Sequence, residues 1–390
     1  MKSLSGRTYP GVRITAVRRL LVLTCAMVLV DTVFYAALVP LVPRFTEELG
    51  LSKSAAGILS GAFGAGVLLG SAPASYLAGR LGVRPTAVGG LLLVSFASLA
   101  FGFAGEAWQL VALRLAGGVG SALSWVAALT WLAERAPEER RGEMIGTLLS
   151  AAVVGALLGP VLGGAAATVG IAPAFASVSC VGLAVAAWAL LTPGPAPIPG
   201  RPLREVLAAA RRPQLLTGLA FIAFSPLLFG TLAVLAPLQL SRLGWGAAAI
   251  GAVFLFAAVF ESIVHPLLGR WSDRSGYRPP VLAGTLGSLA VLLVLPWAEY
   301  APLVALLVVL AGVAFNAPLV PGTSLLSRGA EKAGIGGAPA FGATNFALAS
   351  CYAAGTFLGG SLADLGGDVL SYLSLAVVCL LALLVSCRTV

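Results

Sequence analysis

Charged side chains are scarce in this sequence: Asp, Glu, Lys and Arg make up 10% of its 390 residues. A soluble domain averages about 25%, so an ordinary water-soluble protein is excluded. Histidine is almost missing, His265 being the single one, which argues against a histidine metal centre. Cys25, Cys180, Cys351, Cys379 and Cys387 form no CxxC pair, so neither a disulfide framework nor a zinc site is indicated. No phosphate loop and no serine–histidine–acid spacing is visible, so neither a cofactor nor catalysis is expected. What is present is apolar: 59% of the residues are hydrophobic and the mean hydropathy is +0.99. Glycine is abundant, 48 residues or about 12% against the usual ~7%. Membrane helices use such small residues to pack closely, and the composition is that of an all-α polytopic membrane protein.

A helix crossing a ~30 Å hydrocarbon core needs roughly 20 apolar residues. Twelve such runs stand between charged or Pro/Gly breaks, at 20–42, 55–79, 86–104, 107–132, 143–167, 171–192, 214–240, 247–269, 279–299, 301–326, 338–363 and 368–387. They are too long for barrel strands and lack the alternation of such strands. The first run follows Lys2, Arg7, Arg13, Arg18 and Arg19. It outruns signal-peptide length without a small-residue cleavage pattern, so it reads as a retained span. Twenty of the 24 Lys and Arg fall in the N-terminal segment and in alternate connections after it. The opposite connections hold only Arg44, Lys53 and Arg242, while Arg114 lies inside a span. The positive-inside rule then places both termini in the cytoplasm and the chain, multi-pass, in the cell membrane. The net charge of +9 reflects that topology and contact with anionic lipids; no nucleic-acid partner is expected.

The longest connection, TPGPAPIPGRPLREVLAAARRPQ at 192–214, is rich in Pro and then basic, and falls mid-chain. It divides the chain into a six-helix bundle over 1–192, a cytoplasmic linker over 193–213 and a second six-helix bundle over 214–390. Its RPLREVLAAARRP segment suits a short amphipathic surface helix. A shift of 194 residues aligns Pro43 with Pro237, Leu49–Gly50 with Leu243–Gly244, Gly57 with Gly251, and GRLGVRP (79–85) with DRSGYRP (273–279). A shift of 196 aligns Gly163–Gly164 with Gly359–Gly360. Two parallel repeats related by an axis along the membrane normal are one way a transporter is built.

Three motifs are more specific. GRWSDRSGYRP at 269–279 carries Gly269, Asp273, Arg274, Gly276 and Arg278; its first-half copy, SYLAGRLGVRP at 75–85, keeps Arg80, Gly82 and Arg84 but has Gly79 in place of the aspartate. LRLAGGVGSA at 113–122 sets Arg114 before a glycine cluster, and GALLGPVLGG at 155–164 spaces Gly155, Gly159 and Gly163 one turn apart around Pro160. With these, the sequence resembles the major facilitator superfamily over essentially its whole length. The first motif resembles the family's loop G-x-x-x-D-R-x-G-x-R, the second its R-x-x-x-G-x-G, and the third the G-x-x-x-G-P-x-x-G-G found mainly in its antiporters. The resemblance implies twelve transmembrane helices in two six-helix bundles that rock by alternating access. It also implies that the loop aspartate helps latch the outward-facing state, a part the first-half copy lacks. The three glycines make a smooth face for another helix, and Pro160 removes a backbone donor. That pattern suits plain helix packing or a hinge that seals against leaks.

Few charges lie inside the spans, and such residues usually mark a pathway. Asp31, in AMVLVDTVFYAALVPLVP, stands about eleven residues into span 1, ~17 Å deep at 1.5 Å per residue. Its repeat counterpart is Ser225, so symmetry does not explain the charge. The segment resembles span 1 of vesicular amine transporters and related drug–proton antiporters, which implies that Asp31 engages a substrate ammonium; a polar partner within the bundle is the plainer role. Glu261 stands in span 8, toward the cytoplasmic side, with His265 at i+4 on the same helical face. A carboxylate shielded from water exchanges protons closer to neutrality, and histidine suits that range; a structural Glu–His pair is the alternative. For Arg114 the resemblance implies a part in proton coupling, against a structural clamp. Asn316 and Asn345 fall where amine transporters carry acids in spans 10 and 11; they bind ligands but carry no proton. Phe34, Tyr35, Trp125 and Phe224 offer rings to a cation.

The expected function is proton-coupled antiport that exports a small organic, cationic or amphipathic substrate, with protons and membrane lipids as the other partners and a monomer as the working unit. A facilitator or symporter for a neutral metabolite is the nearest rival. A non-transporting sensor or lipid-binding protein on the same scaffold is the more distant one.

Overall fold

The computed structural model describes residues 10–137, 140–195, 213–319, 321–323, 325–326 and 337–388. Among the described residues there is no strand. Helices α1 (Pro10–Ala36), α2 (Val42–Leu49), α3 (Lys53–Leu81), α4 (Val83–Phe101), α5 (Ala107–Arg135), α6 (Arg141–Val169) and α7 (Ile171–Leu191) build the first half. Helices α8 (Pro213–Arg242), α9 (Ala247–Ser275), α10 (Arg278–Val294), α11 (Ala301–Asn316) and α12 (Gly337–Arg388) build the second. Among the described residues, eleven helical stretches are long and apolar enough to cross a membrane. The last, Phe346–Leu384, breaks at Gly366 and Gly367, where Gly367 takes φ 78° and ψ 173°, a conformation only glycine adopts without strain. The break turns one stretch into two crossings, and the twelve expected are accounted for. Most of the linker, residues 196–212 with its amphipathic segment, lies outside the described residues.

Several helices outrun their apolar cores. α9 continues to Ser275 rather than stopping near 269, since Arg270 and Arg274 are good helix formers that carry it on after its apolar run ends. Glu261 therefore sits at the middle of α9, not toward one end. α1 starts at Pro10, earlier than expected, and stops at Ala36. Pro40 cannot donate to the carbonyl of Ala36, so the chain passes through a 3-10 turn at Val39–Leu41 before α2. Asp31 stands five residues before that break and near the centre of the whole Val17–Leu49 crossing.

Glycine decides how closely the helices approach. α3 and α5 cross at Gly66 and Gly118, where a Cβ on either residue would stand 2.9 Å from the other's Cα. The two halves meet through two contacts related by the repeat. Gly57 of α3 lies against Thr356 of α12, and Gly360 returns against Lys53 and Ser54. Gly251 of α9 lies against Pro160 of α6, and Gly164 returns against Ala248. All these residues lie toward the face of the molecule whose connections are poor in Lys and Arg.

Toward the basic face the same helix surfaces separate. Along α3, Gly57, Gly61 and Gly64 are buried, Leu68 and Ser71 half-buried, and Ala72 and Ser75 exposed. Along α12, Gly360 and Thr356 are buried, Ala353 and Ala349 half-buried, and Phe346 exposed. Along α6, Gly164 and Pro160 are buried, Leu157 half-buried, and Val153 and Ser150 exposed. The bundle is closed at the charge-poor face and open at the basic one.

Candidate functional site

Asp31 is the most deeply buried carboxylate described, 3% exposed on α1. Its Oδ2 accepts from Ser121 Oγ and from Trp125 Nε1, both at 2.8 Å and both on α5. Ser121 and Trp125 are four apart, so they share a face of that helix. Oδ1 has no hydrogen-bond partner among the described residues, a rare condition for a buried polar atom. Trp125 is half-buried beside it.

Arg114, also on α5 and 1% exposed, does not pair with Asp31. Its Nη1 donates to Phe34 O at 3.1 Å and its Nη2 to Tyr35 O at 3.2 Å. These are last-turn carbonyls of α1, left short of donors by the break at Pro40, and a cation at a helix C-terminus also suits the helix dipole. The guanidinium stacks near Phe63, Phe34 and Tyr35, with its carbon 4.8, 5.4 and 5.9 Å from the ring centres. Phe34 and Tyr35, expected to face a foreign cation, thus already serve one belonging to the chain. Tyr35 also meets Tyr352 of α12 edge-on at 5.4 Å, joining this cluster to the other half.

A second polar cluster sits in the C-terminal half. Ser225, the repeat counterpart of Asp31, donates to Asn316 Oδ1, and Asn316 Nδ2 donates to Gly312 O at 3.0 Å. The carboxylate here comes from α9: Glu261 lies beside the Asn316 amide, with His265 Nε2 3.4 Å from its Oε1. That last distance fits an ion pair when the ring is protonated, but among the described residues Nε2 makes no hydrogen bond. Glu261 and His265 are half-buried, 22% and 29% exposed. Asp31 and Glu261 thus belong to separate clusters, one per half, and among the described residues no hydrogen bond joins them.

The glycine motif of α6 has two working faces. Gly155 lies against Leu29 O and Thr32, Gly159 against Ala36, and Gly163 against Ala37 and Pro40, so this face seats α1 around its break. Pro160 and Gly164 point the other way, to α9. In the last turns of α3 and α9, Arg80 bonds the hydroxyl of Tyr76 one turn earlier, and Arg274 is exposed. The side chains of Asp273 and Asn345 lie outside the described residues.

Sequence reasoning singled out Asp31, Arg114, Glu261 and Asn316 but missed Ser121 and Ser225 as partners. The available signal was the helical spacing of Ser121 and Trp125, combined with the repeat that sets Ser225 in the place of Asp31.

A sequence profile described as Major Facilitator Superfamily matches residues 23–354. The MFS-type transporter ppzB of Metarhizium rileyi is 34% identical over 182 residues, 45% of this chain and 38% of that protein. The chloramphenicol resistance protein of Streptomyces lividans is 32% identical over 262 residues, 63% of this chain and 64% of that one. The matched region thus spans well under two thirds of the fungal relative and just under two thirds of the bacterial one. Among solved structures, a D-xylose-proton symporter superposes with a TM-score of 0.71 at 20% identity, over 96% of this chain and 97% of that one. This likeness shows the fold.

Proposed function

The chain belongs to the Major Facilitator Superfamily and is a multi-pass membrane transporter rather than an enzyme, and on that basis we propose that it is a proton-coupled antiporter exporting a small organic cation. The two bundles, 1–192 and 214–390 joined by the 193–213 linker, rock about a site near the middle of the membrane. Both termini face the cytoplasm, as the 20-to-3 distribution of Lys and Arg supports. The membrane is that of the cell, and the open basic face is then the cytoplasmic one.

The observation that carries this reading is the divided environment of Asp31. Two donors from α5 hold Oδ2, while Oδ1 has no partner among the described residues. Arg114, buried on the same helix, directs its donors to backbone carbonyls. A carboxylate so placed binds either a proton or a donor from a cationic ligand, and each displaces the other. Exchange of the two at Asp31 links substrate release to proton uptake, provided each binds the two conformations with different affinity. Glu261, flanked by His265 and Asn316, is a second proton site, and Arg114 positions α1 by securing its broken end. The multidrug and chloramphenicol resistance names of relatives support an exported organic substrate.

A second reading, a facilitator or symporter for a neutral metabolite, is favoured by the Ser225–Asn316 pair, two neutral hydrogen-bonding groups buried where Asp31 stands in the other half. One experiment separates the two. Organic cations and neutral metabolites are offered to proteoliposomes under an imposed pH gradient, with wild type and Asp31→Asn side by side. Gradient-driven cation movement that vanishes in the variant is the expected result. Movement of a neutral solute that ignores both gradient and substitution overturns the antiport reading.

A further inference from the structure

The two repeat-related contacts that close the charge-poor face differ in one respect: only the α3–α12 contact carries charge. Lys53 Nζ lies 2.6 Å from Asp368 Oδ1, with the two side chains 27% and 12% exposed. Arg242, at the end of α8, bonds the other oxygen of Asp368. Asp364 accepts from the backbone N–H groups of Lys53 at 3.0 Å and Ser54 at 2.8 Å, and from the Ser54 hydroxyl. Those N–H groups open α3, so the first turn of a helix in one half is capped by a carboxylate of the other half. Such groups need an acceptor and favour a negative one. The repeat places Ala247 and Ala248 opposite Lys53 and Ser54, and Thr168 and Ala172 opposite Asp364 and Asp368. None of these four is charged, and where the α6–α9 contact is tightest it brings Gly164, Pro160, Gly251, Ala247 and Ala248 together.

We propose that Asp368 and Asp364, gripping Lys53 and the first turn of α3, form a releasable latch that holds the charge-poor face shut, and that the α6–α9 contact has no counterpart to it. Arg242 belongs to the same half as Asp368 and orients it; Lys53 is the arm that bridges the halves. Breaking the latch exchanges direct charge-assisted bonds for water at every transport cycle. Its strength therefore sets how the protein divides its time between the two conformations. The proposal rests on family membership and on this geometry, and stands or falls independently of proton coupling at Asp31.

The test is a distance measurement between spin labels at Gly105→Cys and Glu299→Cys, on exposed connections of opposite halves at the charge-poor face. It uses the 390-residue chain with its native cysteines replaced, reconstituted in lipid. Lys53→Gln and Asp368→Asn are expected to raise the ratio of long to short distances by about fivefold, the upper range for a partly exposed ion pair. Lys53→Arg keeps the charge and retains the starting distribution, which separates loss of the latch from general damage. Thr168→Ala, at the uncharged counterpart, leaves the distribution unchanged. The proposal is overturned if Lys53→Gln and Asp368→Asn leave the distances as they were, or if Lys53→Arg or Thr168→Ala shifts them equally.

Discussion

The unequal surroundings of the two Asp31 oxygens make a prediction at the scale of single residues. Trp125→Phe keeps the ring but removes the indole N–H that helps fix Oδ2, a bond to an ionisable group worth about 1.5–3 kcal/mol. Loosened, the carboxylate presents Oδ1 less well. The apparent KM for a transported cation should rise about tenfold, the factor for 1.4 kcal/mol, with maximal rate largely kept. Transport kinetics in proteoliposomes check this, and an unchanged KM would leave Trp125 a packing residue. Asp31 was legible in sequence because a lone acid in an apolar run is costly to place in lipid and stands out against its neighbours. Its partners were not, since Ser121 and Trp125 lie 90 and 94 residues away, and which face of α5 meets α1 depends on helix rotations that hydropathy does not encode. Arg114 was legible as a buried cation but not as the clasp on the end of α1, because that role exists only once Pro40 has broken the helix.

Among the elements, α6 shows how much glycine spacing decides. A Cβ at Gly155 would stand 2.8 Å from Leu29 O and 2.9 Å from Thr32 Cβ, whereas one at Gly146 on the same helix would meet nothing within 4 Å. Gly155→Val should therefore lower the thermal midpoint of the purified protein by several degrees and impair transport, as overpacking costs about 1–3 kcal/mol. Gly146→Val should leave both nearly unchanged. Equal midpoints for the two variants would show that α1 yields easily at this contact. Runs of apolar residues revealed the crossings in sequence because about 20 of them are needed to span lipid. Their ends were hidden, since polar turns such as Trp271–Ser275 continue a helix after its apolar core has stopped. The two-sidedness of α6, with Gly155, Gly159 and Gly163 toward α1 and Pro160 and Gly164 toward α9, follows from one motif but needs the partner helices in place to be seen.

For the whole molecule, the gradient of exposure along α3 and α12 forecasts where reagents reach. Ser75→Cys, exposed toward the basic face, should react with a membrane-impermeant maleimide added from the cytoplasmic side. Gly61→Cys is precluded by the close approach of Thr356, so Ser60→Cys, buried at 3%, serves as the unreactive comparison. Labelling of Ser75→Cys from outside alone would reverse both the topology and the direction of opening. The repeat that predicted two bundles was legible as matched motifs such as Gly57 and Gly251. The charge difference between the two contacts was not, because Asp364 and Asp368 gain meaning only beside Lys53. That pairing also bears on how the protein is made. The acceptor for the Lys53 N–H lies 311 residues further along the chain, and at about 5–20 residues per second it leaves the ribosome roughly 15–60 s later. The N-terminal bundle must therefore enter the membrane with the first turn of α3 bonded to water, and closure of that face waits until the chain through Asp364 has been synthesised.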